Sequence, residues 1–152
     1  MYTEKRKGGN VSMKNRRTVL VCVTAQQSSE ALVKAGKALS DKWGAELEVV
    51  SVLPLNKTEN PVKPEIIEAL YQAAQKEGGE MAVYFSDDPI YTVCAHIAKR
   101  KPLSLVTGFP GAGSNNFIAT IHLLLPDLPI NMIDRDGTSY NILPCETNAA
   151  VK

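Results

Sequence analysis

TVLVCVT, residues 18–24, is the stretch that decides the fold. A continuous apolar and β-branched run of this kind is typical of a strand buried on both faces, as in a parallel sheet. The segment that follows has apolar residues three and four positions apart, which predicts a helix with one buried stripe. That stripe is formed by Leu32, Ala35, Leu39 and Trp43. Gly44 ends the helix, and residues 46–53 form a second strand pattern.

The rest of the chain continues the same alternation of strand and helix patterns. Asp88 and Pro89 mark a helix start, because Asp caps helix N-termini and Pro suits the first helical position. Further strands are predicted at 80–85, 103–107 and 130–134, with helices at 65–77, after Asp88 and after Ser114 or Asn115. Alternation of this kind implies right-handed crossovers. The predicted fold is therefore α/β, a doubly wound, five-stranded, Rossmann-like parallel sheet.

Composition predicts one ordinary globular domain. Apolar residues make up 44% of the chain and charged residues 22%, which is normal globular usage. We expect the α/β domain at 18–135, a basic and disordered arm at 1–17, and a tail at 136–152 with weak strand character at 140–143. No apolar run approaches the roughly 18 to 20 residues that span a bilayer, and no apolar segment of a secretory signal follows the basic arm. We therefore expect a cytoplasmic protein with no membrane insertion.

The basic charge of the chain is concentrated in the N-terminal arm. Residues 1–17 carry six of the 17 Lys and Arg side chains and one of the 16 acidic ones. The domain itself is therefore acidic, so we do not expect it to bind nucleic acid. Two interpretations of the arm stay open: a contact with nucleic acid, a membrane or an acidic partner, or a disordered leader without a binding role.

The sequence has no recognisable catalytic or metal-binding constellation. Cys22, Cys94 and Cys145 are sparse and lack disulfide or zinc spacing. His96 and His122 adjoin no nucleophile motif, and no GxSxG is present. We therefore expect no catalytic residues, no metal and no enzyme, with a hydrolase or phosphotransferase of low ATP turnover kept as the remaining alternative.

A ligand of such a sheet binds beyond the carboxyl ends of its strands, where the strand order reverses. The candidate segments are 24–29, 54–64, 85–89, 108–116 and 134–137. The basic residues at 99–101 precede the fourth strand and belong to the opposite edge. We expect them to complement the dipole of the third helix and face water.

The glycine-rich loop after the fourth strand is the most informative segment at this edge. Its candidate phosphate-binding residues are Gly108, Gly111, Gly113, Ser114 and Asn115. Glycines allow the backbone to approach a phosphate closely, and the N-terminus of the next helix attracts an anion. Ser114 and Asn115 stand where a P-loop needs Lys and Ser or Thr, so phosphoryl transfer is not expected. The alternative is a glycine-rich turn without a ligand.

Two segments resemble the universal stress protein family. The run 19–34, VLVCVTAQQSSEALVK, with 36–52 after it, resembles the start of these domains. It is most similar to the subtype found inside the potassium-sensing histidine kinase KdpD. The similarity extends through 103–134, where LPDLPI precedes the last strand.

The resemblance implies a five-stranded parallel sheet, frequent homodimers and a nucleotide ligand. Family members that bind ATP carry G-x2-G-x9-G-[S/T] after strand four; Gly108 and Gly111 match its first two positions, and Ile121 stands at the third. Some KdpD-type domains instead bind a cyclic dinucleotide, through residues after strand one and at the end of strand two. The base and ribose side would then involve Thr24, Ala25, Ser28, Ser29, Val50 and Ser51.

These observations lead to two functional hypotheses. The first is a nucleotide-responsive regulatory or adaptor domain that binds ATP, AMP or cyclic di-AMP at the Gly108–Ser114 loop. The second is a ligand-free module for dimerisation or for binding a regulatory protein partner. It is motivated by Ile121 at the third glycine position and by Thr24, which stands where the family often has an acidic residue.

Overall fold

The computed structural model describes residues 17–23, 29–53, 55, 64–108, 116–134 and 136–143. The strands are β1 (Thr18–Val23), β2 (Glu46–Leu53), β3 (Glu80–Phe85), β4 (Ser104–Gly108), β5 (Ile130–Ile133) and β6 (Ser139–Ile142). The helices are α1 (Ser29–Trp43), α2 (Pro64–Lys76), α3 (Pro89–Arg100) and α4 (Asn116–Leu124). The α/β alternation predicted from the sequence is thus confirmed.

The strands form one sheet in the order β3-β2-β1-β4-β5-β6. The first five are parallel, and β6 pairs antiparallel with β5. The prediction of five strands was therefore one strand short. The chain reverses because the Asp134 carboxylate accepts hydrogen bonds from the backbone N–H groups of Asp136 and Thr138, both at 2.9 Å. Gly137, at φ +85°, supplies the left-handed conformation that this turn needs.

The two faces of the sheet have separate cores. On one face, Leu32 and Val33 of α1 and Leu70 of α2 pack against alternate residues of the strands, Val19, Val21 and Val49 among them. On the other face, Val93 and Ile97 of α3 and Ile118 and Ile121 of α4 pack against Leu20, Val50 and Leu105. All six residues of β1 are buried, as the run TVLVCV predicts for the centre of a sheet.

Two local features position the helices. Asp88 caps α3, as predicted: its carboxylate accepts a hydrogen bond from the backbone N–H of Tyr91 at 3.1 Å, and Pro89 follows at the first helical position. Gly36 brings α1 close to β1, because a Cβ at this position would collide with the side chain of Val21. Among the described residues, no helix has the length and apolarity needed to cross a membrane.

Candidate ligand site at the carboxyl edge

The strand order reverses between β1 and β4, the two central strands. The chain leaves β1 for α1, which covers one face, and leaves β4 for α4, which covers the other. The helices that follow these two neighbouring strands therefore diverge to opposite faces of the sheet. Such a divergence leaves the crevice in which open α/β sheets bind their ligands.

The strands do not end at the same height along this edge. Cys22 pairs with Thr107, so Val23 of β1 and Gly108 of β4 come level, and Val23 pairs with Ser51 of β2. Beyond Ser51, β2 and β3 continue side by side for two more residues, to the pair Leu53 and Phe85. At about 3.3 Å per residue, this raises them roughly 6–7 Å above their neighbours. We call the ends of β1 and β4, Val23 and Gly108, the shelf, and Leu53 with Phe85 the rim.

The predicted phosphate loop begins on the shelf. Gly108 is the last residue of β4 and is buried, and α4 begins at Asn116. Gly108 therefore lies at the carboxyl end of a strand beside which the strand order reverses. Gly111, Gly113, Ser114 and Asn115 lie outside the described residues, and their contact with a ligand stays a prediction.

The residues predicted for the base and ribose side divide into three groups. Thr24, Ala25 and Ser28 lie outside the described residues, while Ser29 is the first residue of α1. Val50 is fully buried in the core beneath α3 and α4. The side chain of Val50 therefore packs in the core, and only its backbone groups remain for the contact with a ligand, which stays a prediction.

Ser51 is level with the shelf and on the face covered by α1 and α2. Its side chain is fully buried, and among the described residues its Oγ has no hydrogen-bond partner. A buried hydroxyl without a partner is energetically costly, and polar groups of this kind often bond to a ligand or to water. Like Val50, the Ser51 side chain has no exposed surface, so its contact with a ligand stays a prediction.

Two hydrogen bonds hold the rim together above the shelf. The backbone N–H of Ser86 donates to the carbonyl of Leu53 at 2.9 Å, and the backbone N–H of Leu55 donates to the Asp87 carboxylate at 3.3 Å. The chain leaving β2 is thereby tied to the chain leaving β3. Asp87 thus has a structural role at this edge of the sheet.

A buried polar network on the opposite face was missed by the sequence analysis. The Tyr84 hydroxyl lies 2.8 Å from His96 Nδ1, and His96 Nε2 lies 3.3 Å from Glu48 Oε2, which is also 3.4 Å from Arg100 Nε. The His96–Glu48 contact falls within ion-pair distance but outside hydrogen-bond geometry, so we treat it as electrostatic. The signal for it was Glu48, a charged residue at an inward position of an apolar strand.

This network also changes the interpretation of the basic residues at 99–101. Arg100 turns towards the buried Glu48 instead of facing only water, although its side chain is still 38% exposed. Lys101 follows α3 in the left-handed conformation, with φ +50°, and its backbone N–H donates to the carbonyl of Ile97. Both residues lie at the amino edge of the sheet, where the sequence placed them.

Among the described residues at the carboxyl edge, the shelf and the rim contribute backbone groups and the exposed ring of Phe85. No cluster of His, Cys, Asp or Glu that could hold a metal ion occurs in the part of the chain that the structure describes. Burial raises the pKa of the Cys22 thiol to about 12, so this cysteine is a neutral core residue.

Solved structures with a similar fold include universal stress proteins. One from Archaeoglobus fulgidus matches with a TM-score of 0.57 and 18% identity, over 75% of this chain and 90% of that one. A universal stress protein from the same organism in complex with dAMP matches with a TM-score of 0.54 and 20% identity, over 75% and 94%. No protein-family model and no curated protein sequence matches the chain.

The fold is shared with enzymes as well. A 4-carboxy-2-hydroxymuconate hydratase from Pseudomonas putida matches with a TM-score of 0.55 and 12% identity, over 76% of this chain and 65% of that one. Because one fold hosts unrelated functions, these similarities establish the architecture. The function therefore has to be inferred from the site.

Proposed function

We propose that this chain is a nucleotide-responsive regulatory or adaptor module that binds an adenine nucleotide at the carboxyl edge of its sheet. The observation that carries the proposal is the reversal of strand order between β1 and β4, with Gly108 at the carboxyl end of β4 and the predicted phosphate loop following it in the sequence. Backbone N–H groups of such a loop and the N-terminus of the following helix attract phosphate. The dAMP complex of a universal stress protein with this fold supports the assignment of ligand class.

The candidate ligands are ATP, AMP and, if the module is of the KdpD type, cyclic di-AMP. The phosphate would lie at Gly108, Gly111, Gly113, Ser114 and Asn115, and the sugar near Ser51. The loop lacks the Lys and the metal-binding hydroxyl of a P-loop, so the proposed role is sensing without catalysis and without a metal.

Calorimetry with ATP, AMP and cyclic di-AMP tests the proposal directly. We expect binding of at least one of them, and Gly111→Val should weaken it at least ~10-fold, which corresponds to about 1.4 kcal/mol. The reason is that a branched side chain would intrude where the backbone must approach the phosphate. The domain should stay folded, because surface loops tolerate most substitutions.

The matched control for this test is Lys99→Ala. Lys99 is exposed near the end of α3, at the opposite edge of the sheet, so its removal should leave the affinity unchanged. Lys101 is a poorer control, since its left-handed backbone caps α3. If Lys99→Ala weakened binding and Gly111→Val did not, the site would have been placed at the wrong edge.

A second candidate function is self-association or binding of a regulatory protein. Residues 116–124, NFIATIHLL, contain no Asp, Glu, Lys or Arg, and the side chains of Leu123 and Leu124 on α4 are 78% and 60% exposed. The neighbouring β6 ends the sheet, and such an edge strand can pair with another chain. Analytical ultracentrifugation tests this candidate: we expect a dimer that Leu123→Lys converts to a monomer. A wild-type protein that stays monomeric at high concentration and captures no partner would exclude it.

A further inference from the structure

The described part of the chain exposes three leucines, and all of them lie near the amino edge of the sheet. Leu123 and Leu124 end α4, which runs from the carboxyl edge to the amino edge. Leu143 follows β6 and is 66% exposed. Because Ile142 pairs with Ile130, the first residue of β5, Leu143 lies beyond the amino end of that strand. Single exposed apolar residues are common, whereas several at one edge of a molecule indicate a contact surface.

Basic side chains lie beside these leucines. Lys99 and Lys101 are exposed at the end of α3, which contacts α4 on the same face of the sheet and ends at the same edge. Arg17 is exposed just before β1, close to the start of β4, because the carbonyl of Thr18 accepts a hydrogen bond from the backbone N–H of Leu103 at 2.7 Å. Neither lysine forms an ion pair within the described part of the chain, so both charges are available to a partner.

The other charged groups at this edge leave the leucine side net positive. Arg100, between the two lysines, is directed to the buried Glu48. Glu46 and Glu80 begin β2 and β3, which lie on the far side of β1 from the leucines. Asp127, exposed in the turn between α4 and β5, offsets one positive charge. Cations at the end of a helix are common because they complement the helix dipole, so the informative feature is that they occur beside exposed leucines.

An anionic lipid bilayer matches this combination of groups. Peripheral proteins bind membranes through apolar side chains that enter the headgroup region and basic side chains that attract anionic headgroups. A nucleic acid would engage the basic side chains mainly through its phosphates, which leaves the leucines without a role. In a symmetric dimer through this edge, the same positively charged surface of both copies would meet and repel.

We propose that the amino edge is a docking surface for an anionic phospholipid bilayer, formed by the three exposed leucines together with Lys99 and Lys101. Binding is peripheral and reversible, because only a few apolar and basic side chains contribute to it. The carboxyl edge then points away from the bilayer. The inference goes beyond the proposed nucleotide site and does not depend on it, and it assigns Leu123 and Leu124 to a lipid surface instead of a second copy.

Sedimentation with lipid vesicles tests the inference. One set of vesicles contains equal parts of phosphatidylcholine and phosphatidylserine, and the other contains phosphatidylcholine alone. We expect the full-length wild type to bind the anionic vesicles at least ~10-fold more tightly than the neutral ones, because each basic side chain near an anionic surface contributes about fivefold. Added salt should weaken this binding, since exposed charges are screened.

Two variants separate the apolar contribution from the electrostatic one. The double variant Leu123→Gln/Leu124→Gln keeps good helix formers in α4 and should weaken binding to the anionic vesicles at least ~10-fold. Lys99→Ala should weaken it about fivefold. The matched controls lie on the face covered by α1 and α2: Tyr71→Gln replaces an exposed apolar side chain of α2, and Lys34→Ala removes an exposed lysine of α1. Neither control should change the binding.

All four substituted sites are exposed, so the variants should stay folded, and circular dichroism and the melting temperature verify this. If the wild type fails to bind the anionic vesicles, or binds a DNA duplex instead, the inference is wrong. It is also wrong if Lys99→Ala weakens vesicle binding and the leucine double variant does not. If the double variant converts a dimer to a monomer in analytical ultracentrifugation and leaves vesicle binding unchanged, the leucines belong to an interface between two copies. None of these outcomes bears on the nucleotide site, which calorimetry tests separately.

Discussion

Glu48 and His96 form a buried contact that can be perturbed without touching the candidate site. Their side chains are 3% and 2% exposed, and they join β2 to α3 beneath the helix. We predict that Glu48→Leu and His96→Leu each destabilise the protein, whereas the double substitution restores most of the loss. The reason is that each single change leaves a buried polar partner behind, while the double change replaces the pair by packed apolar groups.

The expected magnitude follows from the exposure of each partner. Breaking a fully buried ion pair costs about 3–5 kcal/mol, and leaving a neutral buried polar group without its partner costs about 1–3 kcal/mol. Arg100 is 38% exposed and can turn to water when Glu48 is lost, so it adds little. We therefore expect about 2–4 kcal/mol for Glu48→Leu, and a double variant that loses only the Tyr84–His96 hydrogen bond, which is worth about 1 kcal/mol.

Urea unfolding provides the assay. Trp43, at the end of α1, is the single tryptophan and reports on the tertiary structure, and far-ultraviolet circular dichroism reports on the helices. Coincident transitions would justify a two-state free energy of unfolding for each of the four proteins in the cycle. If the two single losses simply added in the double variant, Glu48 and His96 would not act as a pair, and the reasoning from their burial would be refuted.

Four further predictions follow from single residues. Gly36→Ala should lower the free energy of unfolding by about 1–3 kcal/mol, because the added Cβ collides with the side chain of Val21. A variant more stable than the wild type would show that α1 can move away from β1 without cost. Asp88→Ala should lower the free energy of unfolding by about 1 kcal/mol, because α3 loses its N-terminal cap. An unchanged free energy of unfolding would show that water replaces the carboxylate. Lys101→Gly should raise the melting temperature, since glycine adopts the left-handed conformation without strain. Burial raises the pKa of the Cys22 thiol from 9.0 to about 12. The stability that the neutral, buried thiol contributes should therefore be fully present below pH 9 and be lost as the pH rises towards 12. A Cys22→Ala variant with the same loss of stability at alkaline pH would contradict this.

The sequence was sufficient for the elements of the fold because each carries its own local signal. The run at 18–24 predicted the central strand, Asp88 with Pro89 predicted the start of α3, and the weak pattern at 140–143 overlaps β6. The number of strands in the sheet was not predictable in the same way. β6 pairs with β5 through the hairpin in which the Asp134 carboxylate accepts hydrogen bonds from backbone N–H groups. A single aspartate in a polar turn has no sequence pattern from which this role could be predicted.

The sequence by itself determined which segments meet at the carboxyl edge, because parallel strands with intervening helices place all strand ends together. Only the tertiary structure decided that the strands end at different levels along that edge. β2 and β3 continue beyond the ends of β1 and β4, so Phe85 lies above Gly108. It likewise decided that Val50 faces the core and that Glu48 meets His96 and Arg100 beneath α3. These contacts join residues tens of positions apart through strand register and helix docking. Local sequence patterns report the periodicity of a single strand or helix. They contain no information about the register in which two strands pair or about where a helix packs on the sheet.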